Sequence, residues 1–267
     1  MANNAQKDIM DKLEQGIKEV FISDNYKEYL RAMGKFHSYS LNNCLLIAMQ
    51  CPQATTVAGY KTWEKEFGRQ VKKGEKAIRI LAPIKHKMTR EEKSEDGTEQ
   101  TKEIQYITYR PVPVFDISQT EGEEMPQICK QLEGNCEELI EKVKAASPVP
   151  VRFEKIEGTA NGYFHHDGYI VVDSDLSQKQ TVKTLIHEIT HASIHCKGGE
   201  QEKADRRTKE VQAESVAYAV CDYFGVDTSE YSFGYIAAWS EGKELDELRG
   251  SLEVIHRTAV EIIEKIA

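Results

Sequence analysis

The chain has 267 residues, 40% of them hydrophobic, enough for one large domain or two small ones, and no run of 18 apolar residues that would span a membrane. Its opening residues form neither a basic nor an apolar stretch, so no secretory leader is expected; six scattered cysteines without a C-x-x-C pair read as reduced thiols in a cytoplasmic setting. The net charge of −9 is uneven: residues 1–120 carry 19 Lys and Arg against 16 Asp and Glu, while residues 121–267 carry 16 against 28, which points to two halves with different partners.

In the first half, Ile9, Leu13, Ile17 and Val20 recur at helical spacing, and further helices are expected over 25–35 and 40–49, the latter stopped by Pro52. A short β-branched stretch over 55–60 precedes a helix over 61–67. Strands are expected over 77–84 and 104–116, with Pro111 and Pro113 marking an edge or an irregular portion. The charged run 90–102 between them reads as a solvated loop, and residues 119–127, without apolar periodicity, as the boundary between domains 1–120 and 121–267.

The second half opens with a helix over 128–145, broken by Pro148 and Pro150, and a strand over 151–156. A hairpin follows, with residues 163–164 and 169–172 flanking an Asp167-Gly168 turn; the 169–172 strand is expected to offer an edge to an extended substrate. Apolar-periodic runs over 181–196, 233–239 and 244–266 complete the pattern, together with a helix carrying Lys209 to Glu214. The expected class is α+β, each domain holding a small sheet and helices, the second zincin-like with a metal site on two helices.

The 181–196 run contains His187-Glu188-Ile189-Thr190-His191, the H-E-x-x-H form. At 3.6 residues per turn, His187 and His191 share one helix face and can hold one zinc ion, with Glu188 placed to take a proton from water that the metal activates. Val182, Leu185, Ile186 and Ile189 form a separate, core-facing stripe. A third ligand is needed. Ile194 and Lys197 stand where a glycine and a histidine would extend the motif to H-E-x-x-H-x-x-G-x-x-H, so that class is excluded. Glu210, 19 positions after His191, fits the rule that takes a glutamate from a following helix, and Glu214 lies one turn further on. Glu210-Val211-Gln212-Ala213-Glu214 resembles the E-x-x-S/A-D/E helix of glutamate-zincins; that resemblance implies Glu210 on the metal and Glu214 orienting His187, with Glu214 the competing ligand. His195 reads as a surface or helix-end histidine. Tyr218, Tyr223, Tyr231 and Tyr235 are candidates to stabilise an oxyanion, and the sequence does not choose among them.

Residues 58–87 hold nine Lys and Arg against three acids, interleaved with Tyr60, Trp63 and Phe67, a pairing of cations and aromatic faces suited to single-stranded nucleic acid. The ordered blocks Tyr39-Ser40-Leu41-Asn42-Asn43, Val57-Ala58-Gly59-Tyr60, Phe67-Gly68-Arg69, Val71-Lys72-Lys73-Gly74-Glu75-Lys76 and Phe115-Asp116-Ile117-Ser118-Gln119-Thr120 go further. Over residues 5–120 the chain resembles the N-terminal single-stranded-DNA-binding domain of ArdC-type antirestriction proteins, LtrC-like members included. The resemblance implies DNA binding by the first domain and a zinc-peptidase-like second domain, in proteins of mobile elements that enter cells as single strands. It places Arg69, Lys72, Lys73 and Lys76 on phosphates, with Asn42, Tyr60 and Trp63 as further DNA contacts. The expected function is therefore a DNA-associated zinc metallopeptidase: His187, His191 and Glu210 hold Zn2+, Glu188 is the general base, and single-stranded DNA and a protein or peptide are the partners. Two alternatives stay open: a strand-shielding protein with an idle or structural metal site, and an ImmA-like regulatory protease that cuts a repressor.

Overall fold

The computed structural model describes residues 2–21, 23–93, 99–124, 136–228, 231 and 233–267. The fold is α+β. Three helices open the chain: α1 (Ala2–Val20), α2 (Ser23–Lys35) and α3 (Leu41–Gln50). The periodic Ile9, Leu13, Ile17 and Val20 of α1 are all buried, as the spacing requires. β1 (Val57–Ala58), α4 (Tyr60–Glu66) and β2 (Arg69–Val71) follow, then the long strands β3 (Ile78–Lys93) and β4 (Glu99–Asp116).

β3 and β4 pair antiparallel from Ile78↔Val114 to Lys93↔Glu99, and β1 adds to the other side of β4 only at Phe115 and Asp116. Pro111 and Pro113 thus stand on a stretch of β4 whose second side has no strand partner among the described residues, where a missing N–H costs nothing. The expected loop over 90–102 is corrected. Residues 90–93 and 99–102 belong to the ladder, and the stretch between them lies outside the described residues. The stretch of β3 beyond residue 84 escaped the expected strands because Lys85, Lys87 and Met88 are exposed, so no buried face writes an apolar alternation into it.

β5 (Thr120–Gly122) pairs antiparallel with β2, so the start of the expected interdomain segment is a strand of the first sheet system. Of the helix expected over 128–145, the structure describes α5 (Cys136–Ala145); residues 128–135 lie outside the described residues. β6 (Val151–Glu154), β7 (Gly162–His165) and β8 (Tyr169–Asp173) form a sheet in the order β6-β8-β7, with β6 parallel and β7 antiparallel to β8. This corrects a second expectation: β8 is the central strand, and its Ile170, Val171 and Val172 are buried. A strand paired on both sides has no free edge, so the edge beside the site belongs to β7.

α6 (Gln178–Thr190) starts at Ser177, whose hydroxyl accepts from the Gln180 N–H, and runs into a π-turn at His191–His195. α7 (Arg206–Tyr223) starts at Asp205, whose carboxylate accepts from Thr208. α8 (Ile236–Ser240) and α9 (Leu245–Ile266) close the chain. α7 is buried on nearly every side: α6 packs on it, α9 lies along it, and α2 crosses it so closely that a Cβ on Gly34 would sit 2.7 Å from the Ala219 carbonyl oxygen. Tyr26 and Ser215 share a buried hydrogen bond of 2.7 Å across that crossing. One apolar core therefore joins the opening helices to the helices of the second half. Among the described residues no helix is long and apolar enough to cross a membrane.

Candidate metal centre

Val182, Leu185, Ile186 and Ile189 bury one side of α6, each contributing about 1.5–3 kcal/mol, and this fixes how the helix is rolled. His187 and His191 then face α7. Their Nε2 atoms lie 3.1 Å apart; Glu210 on α7 brings Oε2 to 3.5 Å from His187 Nε2 and Oε1 to 3.9 Å from His191 Nε2. Tetrahedral ligation at about 2.0–2.1 Å separates donor atoms by about 3.3 Å, so two imidazoles and a carboxylate fit one zinc-sized cation here. Glu214 is 3.8 Å from Nδ1 on the far side of His187 and is bridged at 3.7 Å to Lys183, which places it behind the donors.

Glu188 is almost fully buried between α6 and the edge strand β7. Burial raises its carboxyl above the ordinary range, partly offset by the His187 charge and by a hydrogen bond from the Phe164 backbone N–H. β7 comes this close because Gly162 has no side chain: a Cβ there would lie 2.6 Å from Thr184 Cγ2 and 2.8 Å from the Val171 carbonyl oxygen. Burial pulls His191 down to about 3, with the His187 and His195 rings acting in the same direction. For His187, burial is outweighed by the hydrogen bond to Glu210 and the charges of Glu188, Glu214 and Glu210, and its pKa is raised. Glu210 is lowered, first by the His187 hydrogen bond. A metal requires both imidazoles neutral and the carboxylate ionised; the lowered His191 and Glu210 favour that state, whereas His187, raised by the acids around it, gives up its proton on binding.

His195 is not a surface residue. It is 8% exposed, with Nδ1 2.9 Å from His191 Nδ1 and Nε2 2.9 Å from Gln212 Oε1. The π-turn, invisible to a 3.6-residue periodicity, turns the ring back toward α7. Of the four tyrosines, Tyr218 and Tyr231 are buried, the latter donating to Cys221 Sγ, and Tyr223 packs edge-on against His37. Tyr235, 37% exposed, is raised by burial and then by both Glu214 and Glu210. A second donor group, His165, His166 and Asp167, sits at the β7–β8 turn, where His165 Nδ1 already accepts from the Asp167 N–H.

The residues expected to meet DNA are scattered over the first half. Trp63 is fully buried and donates its indole N–H to the Phe115 carbonyl, so it is a core residue with no face for a base. Its spacing to Phe67, whose ring is 5.1 Å away, is that of two residues packed beneath α4. Arg69 binds the Thr120 hydroxyl and the Thr120 and Glu123 carbonyls, tying β2 to β5. Lys72 donates to the Ser118 carbonyl, and Lys73 and Lys76 are exposed on the turn around Gly74, whose φ is +91°. Asn42 is half-buried; its neighbour Asn43 makes the clamp, exchanging two hydrogen bonds with the Leu81 backbone. Tyr60 is 52% exposed. Tyr106 and Tyr109, which sequence reading did not single out, are 45% and 50% exposed on the β3–β4 ribbon. Residues 78–88 and 105–115 around them hold four Lys and Arg and no acid, a signal available in the composition.

The family model described as the N-terminal domain of anti-restriction factor ArdC matches residues 1–115, and the M78 peptidase model, described as an IrrE N-terminal-like domain, matches residues 145–229. The uncharacterized protein pXO2-81 of Bacillus anthracis is 31% identical over 97% of this chain, which spans 51% of that protein's length. The metal-free crystal structure of the antirestriction ArdC protein from plasmid R388 aligns over 85% of this chain and 82% of its own, with a TM-score of 0.50 and 22% identity. The Mn(II)-bound structure of the same protein aligns with a TM-score of 0.48 and 20% identity. Both models are thus matched in this order on one chain of ArdC-like fold, an ArdC-type N-terminal domain over residues 1–115 leading an M78-peptidase-type domain over residues 145–229.

Proposed function

We propose that the chain is a DNA-associated, zinc-dependent peptidase. The observation that carries this reading is the meeting of His187 Nε2, His191 Nε2 and a Glu210 oxygen within 4.8 Å of one another, beside the buried carboxylate of Glu188. Two imidazoles and one carboxylate suit zinc, which supplies a Lewis acid and makes water ionise near neutral pH. Glu188 accepts the proton of the attacking water as its oxygen bonds to the peptide carbonyl carbon. When the C–N bond breaks, the same carboxyl returns the proton to the departing nitrogen. Its raised pKa brings it closer to the acidity that both transfers need. An extended peptide pairs with the free edge of β7, alongside Glu188, and Tyr235 donates to the carbonyl oxygen as charge develops on it.

Single-stranded DNA is the proposed partner of the first half. The exposed rings available for stacking are Tyr60, Tyr109 and the face of Tyr106 that is not stacked on His86, with Lys73, Lys76, Lys85 and Arg110 supplying cations near them in the chain. The test of the enzyme reading is metal content by elemental analysis together with peptide cleavage, with and without single-stranded DNA. Glu188→Gln is expected to keep one zinc per chain and to lose turnover by about 10²–10⁴-fold; undiminished cleavage rules out the general-base role. Purification without metal, together with failure to take up added zinc, favours the strand-shielding alternative.

A further inference from the structure

The His191-His195-Gln212 chain has a direction. Gln212 presents its carbonyl oxygen 2.9 Å from His195 Nε2, and an oxygen only accepts, so His195 carries its proton on Nε2. In a neutral His195 ring, Nδ1 is then a lone pair, and it can only accept from His191 Nδ1, 2.9 Å away. A neutral His191 ring with its proton on Nδ1 leaves Nε2 bare. That atom faces His187 Nε2 at 3.1 Å, a contact that itself requires one of the two nitrogens to lack a proton. Both partners behind His191 are held in place: His195 is 8% and Gln212 1% exposed, one on the π-turn and the other on α7, with Val211 and Ala213 buried on either side of Gln212.

We infer that His195 and Gln212 are positioning residues, a two-member relay that fixes the tautomer and ring orientation of His191 so that its Nε2 lone pair points into the ligand set. The inference rests on the metal reading above for its purpose, but the tautomer is a property of the metal-free protein. The two imidazoles differ in their surroundings: behind His187 the Glu214 carboxylate stands 3.8 Å from Nδ1, beyond hydrogen-bond reach, whereas His191 is held by a neutral relay ending on an amide oxygen. A neutral terminus leaves no additional buried charge beside the donors, and partners of this kind are worth about 10- to 100-fold in metal affinity.

Nitrogen-15 NMR of the histidine rings in metal-free protein, read alongside zinc affinity by chelator competition, tests it. Wild type is expected to show His191 protonated at Nδ1 and His195 at Nε2. Gln212→Leu, close in volume but without the acceptor, is expected to scramble both tautomers and weaken zinc by about 10- to 100-fold. His195→Phe, which removes the ring nitrogens but keeps an aromatic ring, is expected to free the His191 tautomer in the same way. His191 protonated at Nε2 in wild type overturns the relay, as does either variant with wild-type His191 tautomer and zinc affinity. The wild-type tautomer pattern in a protein that binds no zinc supports the relay and removes the metal reading instead.

Discussion

At the scale of single residues, the site separates two glutamates one turn apart. Glu210 reaches both imidazole Nε2 atoms, whereas Glu214 reaches only the far side of His187 and shares its charge with Lys183. Glu210→Ala is therefore expected to abolish stoichiometric zinc binding, and Glu214→Ala to weaken it by about 10- to 100-fold, measured by equilibrium dialysis; the reverse order moves the third ligand to Glu214. The H-E-x-x-H pair was legible from spacing because a helix has one period. His195 was not, because the π-turn breaks that period between His191 and His195. Trp63 was expected among the DNA contacts on the family resemblance; the order of residues does not record which way a ring faces, and this ring faces the core.

At the scale of elements, the proposed peptidase site depends on how closely β7 approaches α6. Gly162→Ala places a methyl group 2.6 Å from Thr184 Cγ2 and 2.8 Å from the Val171 carbonyl oxygen, so the strand or the helix has to move. The expected cost is about 1–3 kcal/mol in chemical denaturation, with peptide turnover falling further than the stability change explains, because Glu188 shifts with the strand. Wild-type stability and turnover in Gly162→Ala contradict this account of the contact. The β3–β4 ribbon makes its own prediction. Replacing Tyr106 and Tyr109 with Ala is expected to weaken single-stranded DNA by about 1–3 kcal/mol per stacked base with the salt slope unchanged, whereas Lys72→Glu with Lys73→Glu is expected to flatten that slope. Titrations at several salt concentrations distinguish the two, and full affinity in both variants places the DNA elsewhere. Both strands were expected from the sequence, but the extension of β3 beyond residue 84 escaped it because periodicity reports burial, and Lys85, Lys87 and Met88 stand in water.

At the scale of the whole molecule, the two halves share one core, and buried histidines make its stability depend on pH. His256 on α9 sits with Nε2 3.8 Å from Cys44 Sγ on α3. Burial lowers its pKa, assisted by His37 and opposed by a hydrogen bond to the Tyr39 backbone; His191 and His195 are lowered as well. A histidine lowered in the fold is neutral in both states above about pH 6.5, and its contribution is then complete. As pH falls below that value the unfolded chain takes up protons that the fold resists, and stability declines; for His191 the decline continues to about 3. His187, raised in the fold, acts in the opposite sense, contributing below about pH 6.5 and losing that contribution as pH rises through its folded value. Metal-free protein is expected to lose stability on acidification from pH 7 to 5, with a shallower slope in His256→Phe; equal slopes by urea denaturation remove His256 from this role. By itself the sequence determined the α+β class, the helix that carries His187, Glu188 and His191, and the candidacy of Glu210, since each follows from a local period or a counted spacing. Only the tertiary structure decided that β7 rather than β8 is the open edge, that α7 is enclosed by α2, α6 and α9, and that His195 and Gln212 stand behind the site. Those are relations between segments distant in sequence, settled by which surfaces bury one another and not by any pattern within one segment.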